Sequence, residues 1–167
     1  MPAPRSRGRT LAGGLHFDRR VSAYQRILCP VDFSSHSRTA YAQAIDLAAA
    51  SGGSIMLMHV YQTPLSLPPI VFDPSLLKRM AAAGEEHLAA WKKDAEARGV
   101  PIETMNIMGT PWERIVTRAR EGRHDLVVVG THGRTGIKFV LLGSVAEYVV
   151  RYAPCSVMVV RPDDQPA

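Results

Sequence analysis

Five short and largely apolar runs recur along this chain, and a helical pattern follows each of the first four. The runs occupy 27–31, 55–60, 102–108, 126–129 and 156–160. Strands that alternate with helices predict a parallel sheet covered by helices on both faces, because parallel neighbours need long crossover connections. With 167 residues, the chain is expected to form a single α/β domain with the element order (βα)₄β.

The first residues differ in composition from the rest. Residues 1–22 are rich in Arg, Gly, Pro and Ser and show no helical or strand period, which predicts a disordered or loosely attached basic tail. We place the folded domain at 23–163 and a short C-terminal tail at 164–167. Before Arg26 there are five arginines against one aspartate, so this segment carries most of the formal net charge of +5. The folded part is therefore nearly neutral, and a nucleic-acid partner is not expected for it. For the tail, nonspecific contact with an anionic surface or a nucleic acid and organelle targeting both stay open.

Membrane insertion and disulfide bonding are not expected. No apolar run approaches the roughly 20 residues that a membrane-spanning helix needs. Cys29 and Cys155 lie far apart and form no C-x-x-C pattern, which favours two small core residues in a reducing compartment. We expect a cytoplasmic protein without a membrane partner.

Caps and apolar faces place the helices. The first helix is predicted to begin at Ser34 or Ser35 and to end at Gly52, and the second to begin at Asp73-Pro74 and to end near Gly99. Their predicted inner faces are Ala40, Ala44, Leu47 and Ala48 in the first, and Leu77, Met80, Gly84, Leu88, Trp91 and Ala95 in the second. We interpret Met80 and His87 as residues at the edge of the core. Capping boxes at 110–113 and 144–147 predict Thr110 and Ser144 as the N-caps of the last two helices.

The segment from Gly130 to Ser144 carries the clearest functional pattern. Gly130 ends a buried strand, Gly133 permits a tight turn, and Gly143-Ser144 opens a helix. A helix N-terminus offers unpaired N–H groups and a partial positive charge, so this arrangement predicts a phosphate cradle. The alternative is that Gly130 merely ends a strand and Ser144 merely caps a helix.

Three further side chains in this segment could contact a bound phosphate. The sequence motifs of other nucleotide-binding and hydrolase sites are absent. Arg134 and Lys138 add positive charge, and His132 is the histidine placed to donate to a phosphate. The chain contains neither a Walker-type P-loop nor G-x-G-x-x-G after the first strand, and no G-x-S-x-G surrounds Ser144.

Gly130-x-x-Gly133, nine residues and then Gly143-Ser144 match the G-2x-G-9x-G-[S/T] signature of the universal stress protein family. Other segments match in the expected order: the strand ending with Asp32, the pair His59-Val60, the turn Gly109-x-Pro111, and the stretch 144–157. The chain resembles this family over about 25–162.

The resemblance implies a sheet of order 3-2-1-4-5 and a site for ATP or AMP, with or without Mg²⁺, between strands one and four. It implies that Asp32 lies on the ribose or adenine side, that Val31 and Val60 line the adenine, and that the signature glycines and Ser144 hold phosphates. The residues of the implied nucleotide site are Pro30, Val31, Asp32, Val60, Met108, Gly109, Gly130, His132, Gly133, Arg134, Gly143, Ser144 and Val145.

We expect a stress-response protein that acts by binding a nucleotide, because no positioned base, paired carboxylate or metal set is visible in the sequence. Two alternatives stay open. One is a slow ATPase or self-phosphorylating protein with Ser144 or Thr135 as the acceptor. The other is an interaction module whose partner surface is the Pro-rich loop 62–73 and the tail.

The composition of the fifth predicted strand indicates a homodimer. Residues 156–160 form a short, uncharged strand that would lie at an edge of the sheet, and an unprotected edge favours pairing with another copy. An antiparallel pair of such strands would close a two-fold homodimer, as the family resemblance also implies.

Overall fold

Strands and helices alternate through the residues that the computed structural model describes, 24–62, 74–131 and 142–162. The strands are β1 (Arg26–Val31), β2 (Ser54–Tyr61), β3 (Ile102–Met108), β4 (Leu126–Gly130) and β5 (Ser156–Val160), and the helices are α1 (Ser35–Ser51), α2 (Pro74–Glu96), α3 (Pro111–Glu121) and α4 (Ser144–Tyr152). This confirms the predicted (βα)₄β order. Both predicted tails and the N-cap of α2 lie outside the described residues.

All neighbouring strands are parallel, and their order is β3-β2-β1-β4-β5, as predicted. β1 pairs with β2 along its whole length, but it pairs with β4 only at Ile27 and Leu28. The sheet therefore opens between β1 and β4 towards their carboxyl ends. Pro30, which has no N–H to donate, lies beyond the last pair with β4, which explains how a central strand tolerates it.

The sheet separates two layers of core residues. Ile27, Cys29 and Val31 of β1 pack with α1 and α2, whereas Leu28 packs with α3 and α4 on the opposite face. This alternation confirms that the central strands are buried on both faces.

Burial also raises the pKa of the Cys29 thiol, and both Cys29 and the half-buried Cys155 are free cysteines.

The predicted boundaries of α1 are confirmed. The Ser34 hydroxyl accepts a hydrogen bond from the Ser37 amide, and Gly52 ends the helix with a φ of 67°. The predicted alanines of its inner face are buried, and Leu47 packs at the edge of the same core. The predicted apolar face of α2 is also buried or half-buried, although the helix ends at Glu96, before the turn that contains Gly99.

The predicted N-cap of α3 is confirmed but its predicted capping bond is not, and the predicted N-cap of α4 is wrong. Thr110 is the N-cap of α3, but its exposed side chain forms no capping hydrogen bond, and Pro111 begins the helix. The N-cap of α4 is Gly143, so Ser144 is the first helical residue and not the cap. In the part of the chain that the structure describes, no helix has both the length and the apolar character needed to cross a bilayer.

Candidate nucleotide site

A cavity of about 490 Å³ opens at the carboxyl end of the sheet, where the strand order reverses between β1 and β4. The ends of β1, β2 and β4 line it, together with the first turns of α1 and α4 and the middle of α2. Most of the predicted site residues face this cavity: Pro30, Val31, Asp32, Val60, Gly130, Gly143, Ser144 and Val145. The structure thus brings together residues that are distant in sequence.

Gly130 lets α1 approach the end of β4. A Cβ atom on this residue would lie 2.8 Å from the backbone carbon and oxygen of His36, in the first turn of α1. Backbone atoms cannot move aside as the tip of a flexible side chain can, so only glycine fits here without displacing the helix. Gly130 therefore does more than end a strand, because the packing of α1 against β4 requires a glycine here whether or not a ligand binds.

The two halves of the glycine signature meet at the cavity. The Gly143 amide donates to the Thr131 carbonyl at 2.7 Å, and the first intrahelical bond of α4 runs from the Glu147 amide to the Gly143 carbonyl. The amides of Ser144, Val145 and Ala146 therefore precede the hydrogen-bonded turns of α4, and all three residues line the cavity. These N–H groups and the positive end of the helix dipole form a place for an anion.

Asp32 directly follows β1 and lines the same cavity as the start of α4. Its Oδ1 accepts hydrogen bonds from the Ser34 amide at 3.1 Å and from the Ser34 hydroxyl at 2.6 Å. The same Ser34 oxygen accepts from the Ser37 amide at 3.2 Å. The N-cap of α1 thus fixes the orientation of the carboxylate, and a carboxylate has enough acceptor sites to receive sugar hydroxyls as well.

Phe33 forms an unforeseen part of the site. Its φ of 65° is left-handed, a conformation that costs an L-residue about 1–2 kcal/mol. Its ring lies 4.5 Å from the His59 ring and 4.7 Å from the His87 ring, measured between centroids. His59 Nδ1 in turn donates to the Val31 carbonyl at 2.8 Å, which joins the ends of β2 and β1 beneath the cavity.

Comparison with known proteins decides the family. The model of the universal stress protein family matches residues 23–161. The chain belongs to the universal stress protein family. The resemblance inferred from its motifs is thereby confirmed.

The relatives of this universal stress protein extend over nearly all of the folded part. A universal stress protein of Methanocaldococcus jannaschii is 35% identical over 144 residues, which cover 83% of this chain and 82% of the relative. The structure of universal stress protein UspA from Lactobacillus plantarum superposes with a TM-score of 0.76 at 28% identity and covers 83% of this chain and 98% of its own. A universal stress protein solved in complex with cAMP has a TM-score of 0.63 at 30% identity and covers 84% of this chain and 98% of its own.

Two of the predicted site residues lie beside the cavity, and three are not among the described residues. His132, Gly133 and Arg134 of this universal stress protein lie outside the described residues. Met108 and Gly109 are described but lie beside the cavity, at the end of β3. The Gly109 amide donates to the Tyr61 carbonyl at 3.0 Å, and Met108 is 46% exposed.

The wall formed by α2 is the part of the site that sequence reasoning missed. Met80, Ala83, Gly84 and His87 face the cavity, although the sequence analysis treated Met80 and His87 only as core-edge residues. Helical spacing identifies the face of α2 that packs on the sheet, but it does not show that the sheet opens beneath part of that face. Phe33, Ser37 and Thr131 also line the cavity and carried no separate signal in the sequence.

Proposed function

We propose that this universal stress protein binds an adenine nucleotide, AMP or ATP, in the cavity at the carboxyl end of the sheet. The observation that carries the proposal is the convergence of the first α4 amides and the Asp32 carboxylate on one cavity. A 30% identical family member solved in complex with cAMP supports it.

The chemistry of the lining gives the nucleotide a direction. Phosphates belong at the amides of Ser144 and Val145, because anions are stabilised by a helix N-terminus. The Asp32 carboxylate would repel a phosphate but can accept hydrogen bonds from ribose hydroxyls. Val31 and Val60 supply apolar contacts for the adenine. Among the described residues no cluster of His, Cys, Asp or Glu is arranged to hold a metal, so a Mg²⁺ ion would be carried by the phosphates of ATP.

We further propose that the protein acts in the stress response, in the cytoplasm, through binding and not through turnover. Asp32 is the acidic residue among the described lining residues, and Ser34 already orients it as a hydrogen-bond acceptor. The alternatives are slow ATP hydrolysis and self-phosphorylation at Ser144 or Thr135. Mass spectrometry of the purified protein separates nucleotide binding from self-phosphorylation and from an interaction module. Co-purified AMP or ATP is expected. A phosphorylated serine or threonine would favour self-phosphorylation, and the absence of both nucleotide and phosphorylation would favour an interaction module.

We also propose a homodimer formed through β5. In the described sheet β5 is an edge strand, and Val159 on it is 36% exposed. An uncharged edge strand is stabilised by pairing with a second copy, and a two-fold axis would close the assembly.

A further inference from the structure

A second cavity, of about 230 Å³, lies at the amino end of the sheet. The beginnings of β1, β2 and β3 line it, together with the last turn of α3 and His124, which precedes β4. Arg26 of this cavity and Val31 of the first lie about 16 Å apart, since five residue steps of roughly 3.3 Å separate them along β1. Nothing in the proposed nucleotide site uses these residues.

Two guanidinium groups at this cavity lack partners among the described residues. Arg26 and Arg118 both line it, and neither forms an ion pair with a described carboxylate, including that of Glu103 in the same lining. The Nε atom of Arg118 is buried and forms no hydrogen bond with the described residues. A basic residue in the last turn complements the helix dipole, but that does not explain a buried N–H without an acceptor, which is costly.

His124 places a third nitrogen group at the cavity, whose Nε2 can donate to an anion when the ring is protonated. Only 7% of this residue is exposed, and its Nδ1 donates to the Arg118 carbonyl at 3.2 Å, which orients the ring. Gly122 makes room for the imidazole, because a Cβ atom at that position would collide with the His124 ring. Burial lowers the pKa of His124, and the guanidinium groups of Arg118 and Arg26 lower it further. An anion in the cavity would reverse this effect.

We propose that the cavity at the amino end of the sheet binds a small phosphate-bearing anion, either inorganic phosphate or a phosphate monoester. Two guanidinium groups and an imidazole offer more donors than the two oxygens of a single carboxylate can accept, whereas a phosphate presents three or four oxygens and a double charge. The cavity has less than half the volume of the first, which favours a ligand smaller than a nucleotide.

The test is a titration of the full chain with inorganic phosphate, followed through the imidazole NMR signals of His124. No nucleotide is added, because AMP is itself a phosphate monoester and would compete for the cavity, and sodium chloride keeps the ionic strength constant. Wild type is compared with Arg118→Met and Arg26→Met, which alter two different elements. The matched control is Arg120→Met, which removes an exposed cation from the same last turn of α3 outside the cavity lining. Thermal melts verify that each variant is folded.

We expect a saturable shift of the His124 signals with a Kd of about 1 mM or tighter and a rise in the pKa of His124. Arg118→Met or Arg26→Met should weaken binding at least about tenfold, while Arg120→Met should leave it nearly unchanged. Tighter binding of glycerol 2-phosphate than of inorganic phosphate would identify a monoester as the ligand class, and the reverse order would identify free phosphate. Absence of saturation, or an equal effect of all three arginine variants, would overturn the proposal. Because His124 reports on the amino end alone, this result is separate from the success or failure of nucleotide binding.

Discussion

The amide of Gly143 donates a 2.7 Å hydrogen bond to the carbonyl of Thr131, and this contact closes the glycine-rich segment at its base. It brings the end of β4 beside the start of α4 independently of any ligand. The α4 amides therefore already face the cavity, so binding a phosphate there does not require the helix to be ordered first.

Gly130→Ala should reduce both stability and nucleotide affinity. The added Cβ would lie 2.8 Å from backbone atoms of His36, and overpacking of this kind costs about 1–3 kcal/mol. Because α1 must move, Asp32 and Ser34 at its start should be displaced, and AMP binding should weaken at least about tenfold. Urea denaturation and calorimetry measure the two effects.

The control for this variant is Gly99→Ala. Gly99 has a φ of 70° and open space around it, so alanine should cost about 1 kcal/mol of stability through backbone strain. It lies far from the cavity lining, so AMP affinity should stay unchanged. Equal affinity in Gly130→Ala and Gly99→Ala would contradict a role for the α1–β4 contact in the site.

Asp32→Asn should weaken binding of adenosine and of AMP by the same factor. The amide oxygen can still accept from Ser34, so the start of α1 is preserved while the charge is lost. A loss of about tenfold corresponds to 1.4 kcal/mol. Ser34→Ala removes the N-cap, at about 1 kcal/mol of stability, and one of the two bonds that orient the carboxylate, so it should weaken binding of both ligands by less than Asp32→Asn. A loss for AMP alone would assign Asp32 to the phosphate end.

Stability should fall on acidification because of His124. Burial holds its pKa below the ordinary 6.5, so between that lowered value and 6.5 the unfolded chain binds more protons than the folded one, and stability rises with pH across this window. Arg118, Arg26 and Glu103 are the charged groups that line the same cavity. Urea denaturation from about pH 7.5 to 5.5 should show this slope in wild type. The slope should shrink in His124→Asn, and an unchanged slope there would contradict the assignment.

The proposed dimer depends on the backbone groups of β5 that face away from β4. The Thr131 amide donates to the Val160 carbonyl at 3.0 Å, so the backbone of Val160 faces β4. Backbone groups of successive strand residues face opposite neighbours, so those of Val159 face the edge. Val159→Pro should convert the dimer to a monomer, whereas Val159→Ala retains the N–H and should remain dimeric. Light scattering should give twice the chain mass of 18.3 kDa for wild type, and a monomeric wild type would contradict the proposal.

The sequence predicted most of the fold because the core runs are short and bounded by clear breakers. Leu126 to Val129 is apolar throughout and is buried between two helical layers, which composition alone indicates. The first residue of α4 was predicted correctly, but its N-cap was placed one residue too late. The pattern from Ser144 to Glu147 fits a capping box, but Gly143 is the N-cap, because it is extended and its carbonyl accepts from the Glu147 amide.

The parts of the site that sequence reasoning missed depend on tertiary contacts. A phenylalanine has no intrinsic tendency to adopt a φ of 65°, and Phe33 does so with its ring against the rings of His59 and His87. Likewise Arg118 and His124 are ordinary residues in the sequence. Their convergence arises only when the end of α3 packs over the start of the sheet.

The most direct test of the phosphate cradle removes one α4 amide without disturbing the helix. Ser144→Pro deletes the N–H of the first helical residue, where proline is favoured, as Pro111 at the start of α3 illustrates. Gly143 already has φ −67° and ψ 152°, the conformation that a residue before proline prefers. Ser144→Ala is the matched control, since it removes the hydroxyl and retains the N–H.

Calorimetric titration of AMP into wild type, Ser144→Ala and Ser144→Pro is therefore the decisive measurement. The melting temperature without AMP should be nearly the same in all three, because the Ser144 hydroxyl caps nothing in the described structure. We predict that Ser144→Pro binds AMP at least about tenfold more weakly than Ser144→Ala. Equal AMP affinity in these two variants would contradict the assignment of the phosphate to the N-terminus of α4.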